Sequence, residues 1–554
     1  MASNVRQCQN CTQEFTVKGD DRTFYEKIDV PVPSLCPDCR YLRRLVDRNE
    51  WSLYRRKCDA TGKTIVSIYR EGVPFPVYHQ DFWKGDGWDP MDYGMPFSED
   101  RPLLQQLKEL MDRVPRAAVF NLNCVNCHYC AKASFSKNCY YNMSFNAENC
   151  MYGHYGRNVR DSVDYLFLAE CELCYECVYC YGCANLTFSS YSSHCSDSSF
   201  LYDCRNCHNC FGCVGLRNKS YHIFNEPYTK DEYNGKMEEL NVHGYSSLNK
   251  AREKAQELWL SFPRRFANLT KCENVIGDRV YGSKNCYHCF DVNPLKLSTE
   301  NCKYLLTATN VADSYDVGET GEGTQLCYEV FEGWGSGITF SNQVLMSQDV
   351  SYSYNCYTSS NLFACVGLRN KKYCILNTQY SKEEYERMVK KIREHMDRIP
   401  YTDRAGRIYR YGEFFPPELS VFSYNESVAY EYFPITREVA EARNFRWRER
   451  EERRYEVTKQ AEELPENIEE VDETIREEML GCEHRGTCDE QCTKAFKMIP
   501  AELQFYKRMN VPLPRRCPNC RHRARTNQRN PLKLWHRACM CAGRQSAERY
   551  GRIA

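Results

Sequence analysis

Between Pro102 and Pro115 the apolar positions fall at Leu103, Leu104, Leu107, Leu110, Met111 and Val114. That single stripe at helical spacing predicts an amphipathic helix, expected to cap or dock on the first of the repeat arrays that follow. From residue 119 to 380 the pattern changes. Short β-prone runs, such as Cys-Tyr-Tyr-Asn-Met-Ser-Phe at 139–145 and Val-Asp-Tyr-Leu-Phe-Leu at 163–168, alternate with Asn, Asp, Ser and Gly. Turn starts at Asn138, Asn149, Asp161 and Leu173 lie 11 or 12 residues apart. Short strands with regular turns predict a β-solenoid with two runs per coil.

The repeat region is written twice, at an offset of 152. Glu148-Asn149-Cys150 returns as Glu300-Asn301-Cys302, Asp161 and Asp164 as Asp313 and Asp316, and the Cys213–Lys219 stretch as Cys365–Lys371. Tyr228, Glu232 and Tyr233 open a helix after the first copy; Tyr380, Glu384 and Tyr385 do so after the second. Two arrays, each closed by a helical cap, account for this economically. Residues 82–94 are aromatic and acidic without period and read as a segment wrapping the scaffold. Residues 444–478 are charged throughout and strongly acidic from Glu462, which predicts a solvated helix or linker.

The two ends are copies of one another. Cys8-x2-Cys11 is followed by 24 residues and Cys36-Pro-Asp-Cys39; Cys488-x3-Cys492 is followed by 24 residues and Cys517-Pro-Asn-Cys520. Arg40, Arg44, Arg48 and Cys58 recur as Arg521, Arg525, Arg529 and Cys539. Two pairs of cysteines on short knuckles are what a closed tetrahedral zinc site takes, and each second knuckle leads into a helix whose first amides favour thiolate. The expected ligands are Cys8, Cys11, Cys36 and Cys39, and Cys488, Cys492, Cys517 and Cys520, for two structural zinc ions in zinc-ribbon or treble-clef modules. Cys58 and Cys539 read as buried thiols; Cys482, His484 and Cys541 have no N-terminal counterpart and rank below the eight.

The expected fold class is thus multidomain and mainly β, with terminal zinc modules flanking a duplicated cysteine-rich β-solenoid. Its parts are an N-terminal module (1–70), a wrapping segment and amphipathic helix (71–118), a first array (119–225) with its helical cap (226–268), a second array (269–378) with its cap (379–400), an extended charged linker (401–480) and a basic C-terminal module (481–554).

Composition adds 35 Cys and 41 Tyr to this picture. No apolar run approaches a membrane span and the start lacks a signal-peptide core, so the expected compartment is the reducing cytoplasm, with thiols rather than disulfides. Cysteines three apart, as in Cys171–Cys183 and Cys204–Cys213, suit either a thiolate metal store or small hydrophobes in a narrow interior. Cys207 and Cys210 align with Ser359 and Leu362 in the second copy, which favours packing.

Lys+Arg and Asp+Glu balance at 74 each, so any charge preference is local. From Phe505 to Tyr550 twelve basic residues face one acid, Glu548. Arg515, Arg516, Arg521, Arg523, Arg525, Arg529, Lys533, Trp535 and Arg537 form a candidate surface for RNA, DNA or a ribonucleoprotein, because guanidinium pairs with phosphate and indole stacks on bases. The competing reading pairs these arginines with the acidic segment at 462–478. Enzyme signatures are weak: Gly318–Thr324 lacks the Lys of a phosphate loop, and the repeated Asp161, Asp164, Asp313 and Asp316 suit turns better than a carbohydrate-acting site.

Several motifs resemble a family of large, uncharacterised bacterial proteins with terminal zinc ribbons and cysteine-rich repeats between them. They are Val30–Arg40, Lys57–Lys63, Trp88–Gly94, Gly215–Lys219, Tyr424–Ala429, Glu431–Pro434 and Asn530–Arg537. The resemblance implies zinc binding and no specific activity. The function expected from all this is a non-enzymatic zinc scaffold contacting nucleic acid or a ribonucleoprotein. A protein-interaction scaffold, a metal store and a carbohydrate-acting enzyme are the alternatives; no membrane partner or small-molecule substrate is indicated.

Overall fold

In both central arrays nearly every third residue has a left-handed backbone, beginning at Asn123, Asn126 and Tyr129 and again at Asn274. Asn and Asp tolerate that conformation best, which is why they recur there. Each such residue turns the chain, and a turn every three residues brings it back beside itself after about four turns. Leu166 accordingly bridges Val178 in parallel, Val178 bridges Ser190, Ser190 bridges Tyr202 and Tyr202 bridges Val214. One circuit therefore takes twelve residues, half the length expected from two runs per coil. The structure comes from a computed structural model and describes residues 4–292, 298–321, 323–449, 455–488 and 490–538. Cys539, Cys541, Arg544, Glu548 and Arg549 lie outside the described residues.

Asn side chains on the outer corners form ladders. The Asn126 amide donates to Asn138 (2.9 Å), Asn138 to Asn149 (3.0 Å) and Asn149 to Asp161 (2.9 Å). The second copy repeats this through Asn274, Asn285, Asn301 and Asp313 at 3.0–3.1 Å. The residue after each corner points inward and is often small, although Tyr165, Leu168, Leu186 and Leu201 also fill such positions. Cys150, Cys174, Cys204 and Cys213 are buried in one cluster, and Cys302, Cys327, Cys356 and Cys365 in another.

Each array ends on a matching antiparallel turn. Asn225 Oδ1 accepts from the Val214 N–H at 2.9 Å, and Asn377 Oδ1 from the Val366 N–H at 2.8 Å. Helices Lys230–Leu240 and Lys382–Arg398 follow, opened by capping boxes of Thr229 with Glu232 and Ser381 with Glu384. These caps satisfy first-turn amides that would otherwise lack partners.

The helix Leu103–Met111 forms as its stripe requires, but its leucines pack with Tyr315, Tyr328, Phe340 and Phe363. It therefore docks on the second array rather than the first. The aromatic segment lies against the same array: the Arg369 guanidinium sits 5.2 Å from the Trp83 ring and 5.5 Å from Trp88. The stretch expected as a charged linker is built into the core. Phe414, Phe415, Leu419, Tyr424, Val428 and Ala429 are buried, and in the acidic part Leu464, Ile468, Val471 and Ile475 are buried beneath the carboxylates. Among the described residues no helix is long and apolar enough to cross a membrane.

Candidate metal centres

The N-terminal hairpin pairs Asn4–Gln7 with Glu14–Val17 and carries Cys8 and Cys11 at its turn. Cys36 is the N-cap of the helix Pro37–Val46, and Cys39 lies in its first turn. One sulfur from each of the four lies within 4.8 Å of the others, with Cys11 and Cys36 3.7 Å apart. Four sulfurs on bonds of about 2.3 Å around one tetrahedral ion stand about 3.8 Å apart, so the spacing fits a metal. The Cys36 N–H donates to Cys8 Sγ at 3.2 Å, and the Asn10 amide to Cys39 Sγ at 3.2 Å. Hydrogen bonds from Cys36 and Cys39 hold the Cys8 thiol below its usual range, while the bond to Cys39 pushes Cys36 above its own. Thiols this close share protons, and a dication would let all four ionise.

The C-terminal set differs from expectation by one ligand. Cys482, Cys492, Cys517 and Cys520 converge within 4.8 Å, and Cys488 is not among them. Cys492–Cys517 and Cys482–Cys520 are each 3.9 Å, and Cys517–Cys520 is 3.5 Å. Cys482 is the true counterpart of Cys8: the Cys517 N–H donates to its sulfur at 3.3 Å, as the Cys36 N–H does to Cys8. The separation from the second to the third cysteine is 25 residues at both ends. From the first to the third it is 28 residues at the N-terminus and 35 at the C-terminus. The extra residues form a loop inside the first knuckle, and the hairpin Leu480–Gly481 with Ala495–Phe496 closes beneath it. Cys488 sits in that loop with its sulfur 3.7 Å from Cys520, in a second group with His484 and Glu490. Short sequence spacing pointed to Cys488; the hairpin register selects Cys482. Cys58 is buried and accepts a 3.2 Å hydrogen bond from the His79 N–H.

Most of the candidate nucleic-acid residues turn inward. The Arg521 guanidinium lies 3.2 Å from Asp164 and 3.0 Å from Glu502, and Arg525 2.7 Å from Asp164, all with side chains at most 3% exposed. Arg529 donates to the Glu431 carbonyl at 3.1 Å and stacks on Tyr432. Arg523 donates to the Tyr430 carbonyl, Arg515 pairs with Glu466 at 2.9 Å and Arg516 with Glu483 at 2.8 Å. Lys533, Trp535 and Arg537 are exposed, Trp535 to 59%.

The N-terminal module repeats this arrangement on the other array. Arg40 pairs with Asp316 at 2.8 Å and Arg44 with Asp316 at 3.2 Å, again with every side chain at most 2% exposed. The modules are therefore crossed: the N-terminal one grips the second array and the C-terminal one the first. The repeated aspartates Asp164 and Asp316 are their sockets.

No protein-family model matches this chain, and neither does any curated protein. Among solved structures it is similar to a candidate acetyltransferase from Desulfovibrio desulfuricans G20, with 10% identity over 52% of this chain and 86% of that one. The TM-score is 0.10, so the likeness informs neither fold nor chemistry.

Most of the array cysteines share one environment. Cys177 Sγ donates to the Tyr175 carbonyl at 3.4 Å and lies 3.2 Å from that of Leu186 on the next circuit; Cys365 repeats this with Phe363 and Cys374. Inward serines behave alike: Ser189 Oγ donates to the Thr187 carbonyl at 2.8 Å. Among the described residues, no array cysteine belongs to a group of three or more ligand atoms within 4.8 Å.

Proposed function

We propose that this chain is a non-enzymatic, zinc-stabilised scaffold for protein partners. In this reading two treble-clef or zinc-ribbon modules each hold one zinc ion and lock the opposite halves of a duplicated β-solenoid. The observation that carries it is the reciprocal clamp, Arg40 and Arg44 on Asp316 and Arg521 and Arg525 on Asp164. Arg521 and Arg525, spent on the buried Asp164 and Glu502, are withdrawn from phosphate, and this supports a structural role for the C-terminal module. Thiolates suit zinc, and closed four-sulfur sites are structural. Every described cysteine is a free thiol, which supports residence in the reducing cytoplasm.

A nucleic-acid contact is retained as a second reading, confined to Lys533, Trp535 and Arg537. The exposed Trp535 ring with the Lys533 ammonium 5.8 Å from its centroid favours it. Capture from lysate across a salt series, with and without nuclease, separates the two. Protein partners surviving nuclease support the scaffold. RNA or DNA released steeply by salt, and lost on Trp535→Ala with Lys533→Ala, would replace it with the second reading.

A further inference from the structure

Outside both thiol sets, three ligand-type side chains meet where the modules and the first array come together. His154 opens the strand His154–Arg157, Glu431 lies on the helix Val428–Tyr432, and His522 follows Cys520 on the helix Pro518–Thr526. Their side chains are 0%, 11% and 5% exposed. We infer that His154, Glu431 and His522 form a third metal centre, for a divalent transition ion held by nitrogen and oxygen.

The distances carry the argument. His154 Nδ1 is 3.8 Å from Glu431 Oε2, and His522 Nε2 is 3.5 Å from Glu431 Oε1. Neither pair makes a hydrogen bond: His154 Nδ1, both ring nitrogens of His522 and Glu431 Oε2 are buried without a partner. Leaving several such atoms buried and unsatisfied is unfavourable, because each has lost its water without gaining a partner. Two ligand atoms on bonds of about 2.1 Å to one tetrahedral ion stand about 3.4 Å apart, so one cation can take His154 Nδ1, His522 Nε2 and the Glu431 carboxylate together.

The surroundings hold the ligands in that pose. His154 Nε2 lies 3.1 Å from Glu50 Oε2, and Glu50 is fixed by Arg48 at 2.6 Å and by the Tyr155 hydroxyl at 3.1 Å. A carboxylate on the far nitrogen sets the tautomer that leaves Nδ1 free to bind metal. Trp51 stacks on the His522 ring at 3.7 Å, and Tyr155 on His154 at 4.0 Å. Two imidazoles and one carboxylate suit zinc or ferrous iron, and three protein ligands leave a coordination position open. The ion would join the C-terminal module to the first array, and through Glu50 to the N-terminal module.

The test counts metal in the full-length, reduced chain saturated with zinc and, separately, with ferrous iron, alongside X-ray absorption. Three ions per chain are expected, one with nitrogen and oxygen neighbours only. His154→Gln and Glu431→Gln should each lose one ion of three and keep both sulfur-bound ions. Two ions per chain with sulfur-only neighbours in the unaltered protein, under both metals, overturns the inference whatever the variants do. An unchanged count of three in both folded variants overturns the ligand assignment.

Discussion

At the residue scale, the C-terminal thiol set offers the sharpest test. If the C-terminal thiol set holds the proposed metal, Cys482→Ser should remove one sulfur-bound ion per chain and expose the C-terminal module to protease, whereas Cys488→Ser should keep it. Zinc counting with limited proteolysis decides it, and the reverse result would restore the short knuckle. Asp164 is a second such position, because it faces both Arg521 and Arg525 in a buried site. Asp164→Ala leaves two buried guanidiniums under-compensated and should cost about 3–5 kcal/mol in chemical denaturation. A loss under about 1 kcal/mol would mean the clamp is dispensable. Asp47 adds a pH dependence: burial pushes its carboxyl up to about 6, against the pull of Arg116 and a 2.9 Å hydrogen bond from Asn342. Its folded value exceeds the unfolded one, so its contribution is present at low pH and lost as pH rises through about 6. Asp47→Asn should therefore stabilise by about 1–3 kcal/mol near pH 7.5 and hardly at all near pH 4. Equal effects in urea melts at both pH values would refute this.

At the element scale, the arrays are held by what fills them. An inward Cys donates to a carbonyl as an inward Ser does, and the two occupy equivalent corners. Cys207→Ser, which copies Ser359, should cost under about 1.5 kcal/mol and leave the metal content unchanged. Cys174→Leu adds volume to a fully buried site and should cost about 1–3 kcal/mol. If Cys207→Ser instead released metal, the store reading would return. The duplication, the helix starts marked by Tyr228–Tyr233 and Tyr380–Tyr385, and the stripe at Leu103–Val114 were all legible, since each rests on repetition or local periodicity. The twelve-residue circuit was not. Periodicity reveals that turns recur but not that every third residue turns, because Tyr, Phe and Glu take the left-handed conformation here alongside Asn.

At the scale of the whole molecule, the crossed clamps couple each end to the far array. Stripping metal through Cys36→Ser should raise hydrogen exchange in the second array, around Asp316 and Glu329, more than in the first. Equal exchange in both, or a change confined to the N-terminal module, would argue against crossing. The balance of charge has its explanation at this scale. Asp164, Asp316 and Glu329 on the arrays take their arginine partners from the terminal modules, so part of the charge balance is internal pairing.

The sequence by itself determined the features that local chemistry sets: the Cys36–Cys39 and Cys517–Cys520 knuckles, the duplication, the helix after each array and the many small inward residues. It even exposed the two aspartates that serve as sockets, and the turns their repetition suggested are present, with Asp164 and Asp316 both left-handed. Tertiary structure alone decided that Cys482 rather than Cys488 completes the C-terminal thiol set, because hairpin register overrides sequence proximity. It also decided that Arg521 and Arg525 face a carboxylate rather than solvent, and that His154, Glu431 and His522 meet. Those contacts join residues tens to hundreds of positions apart, and no periodicity or spacing along a chain records which distant faces will pack.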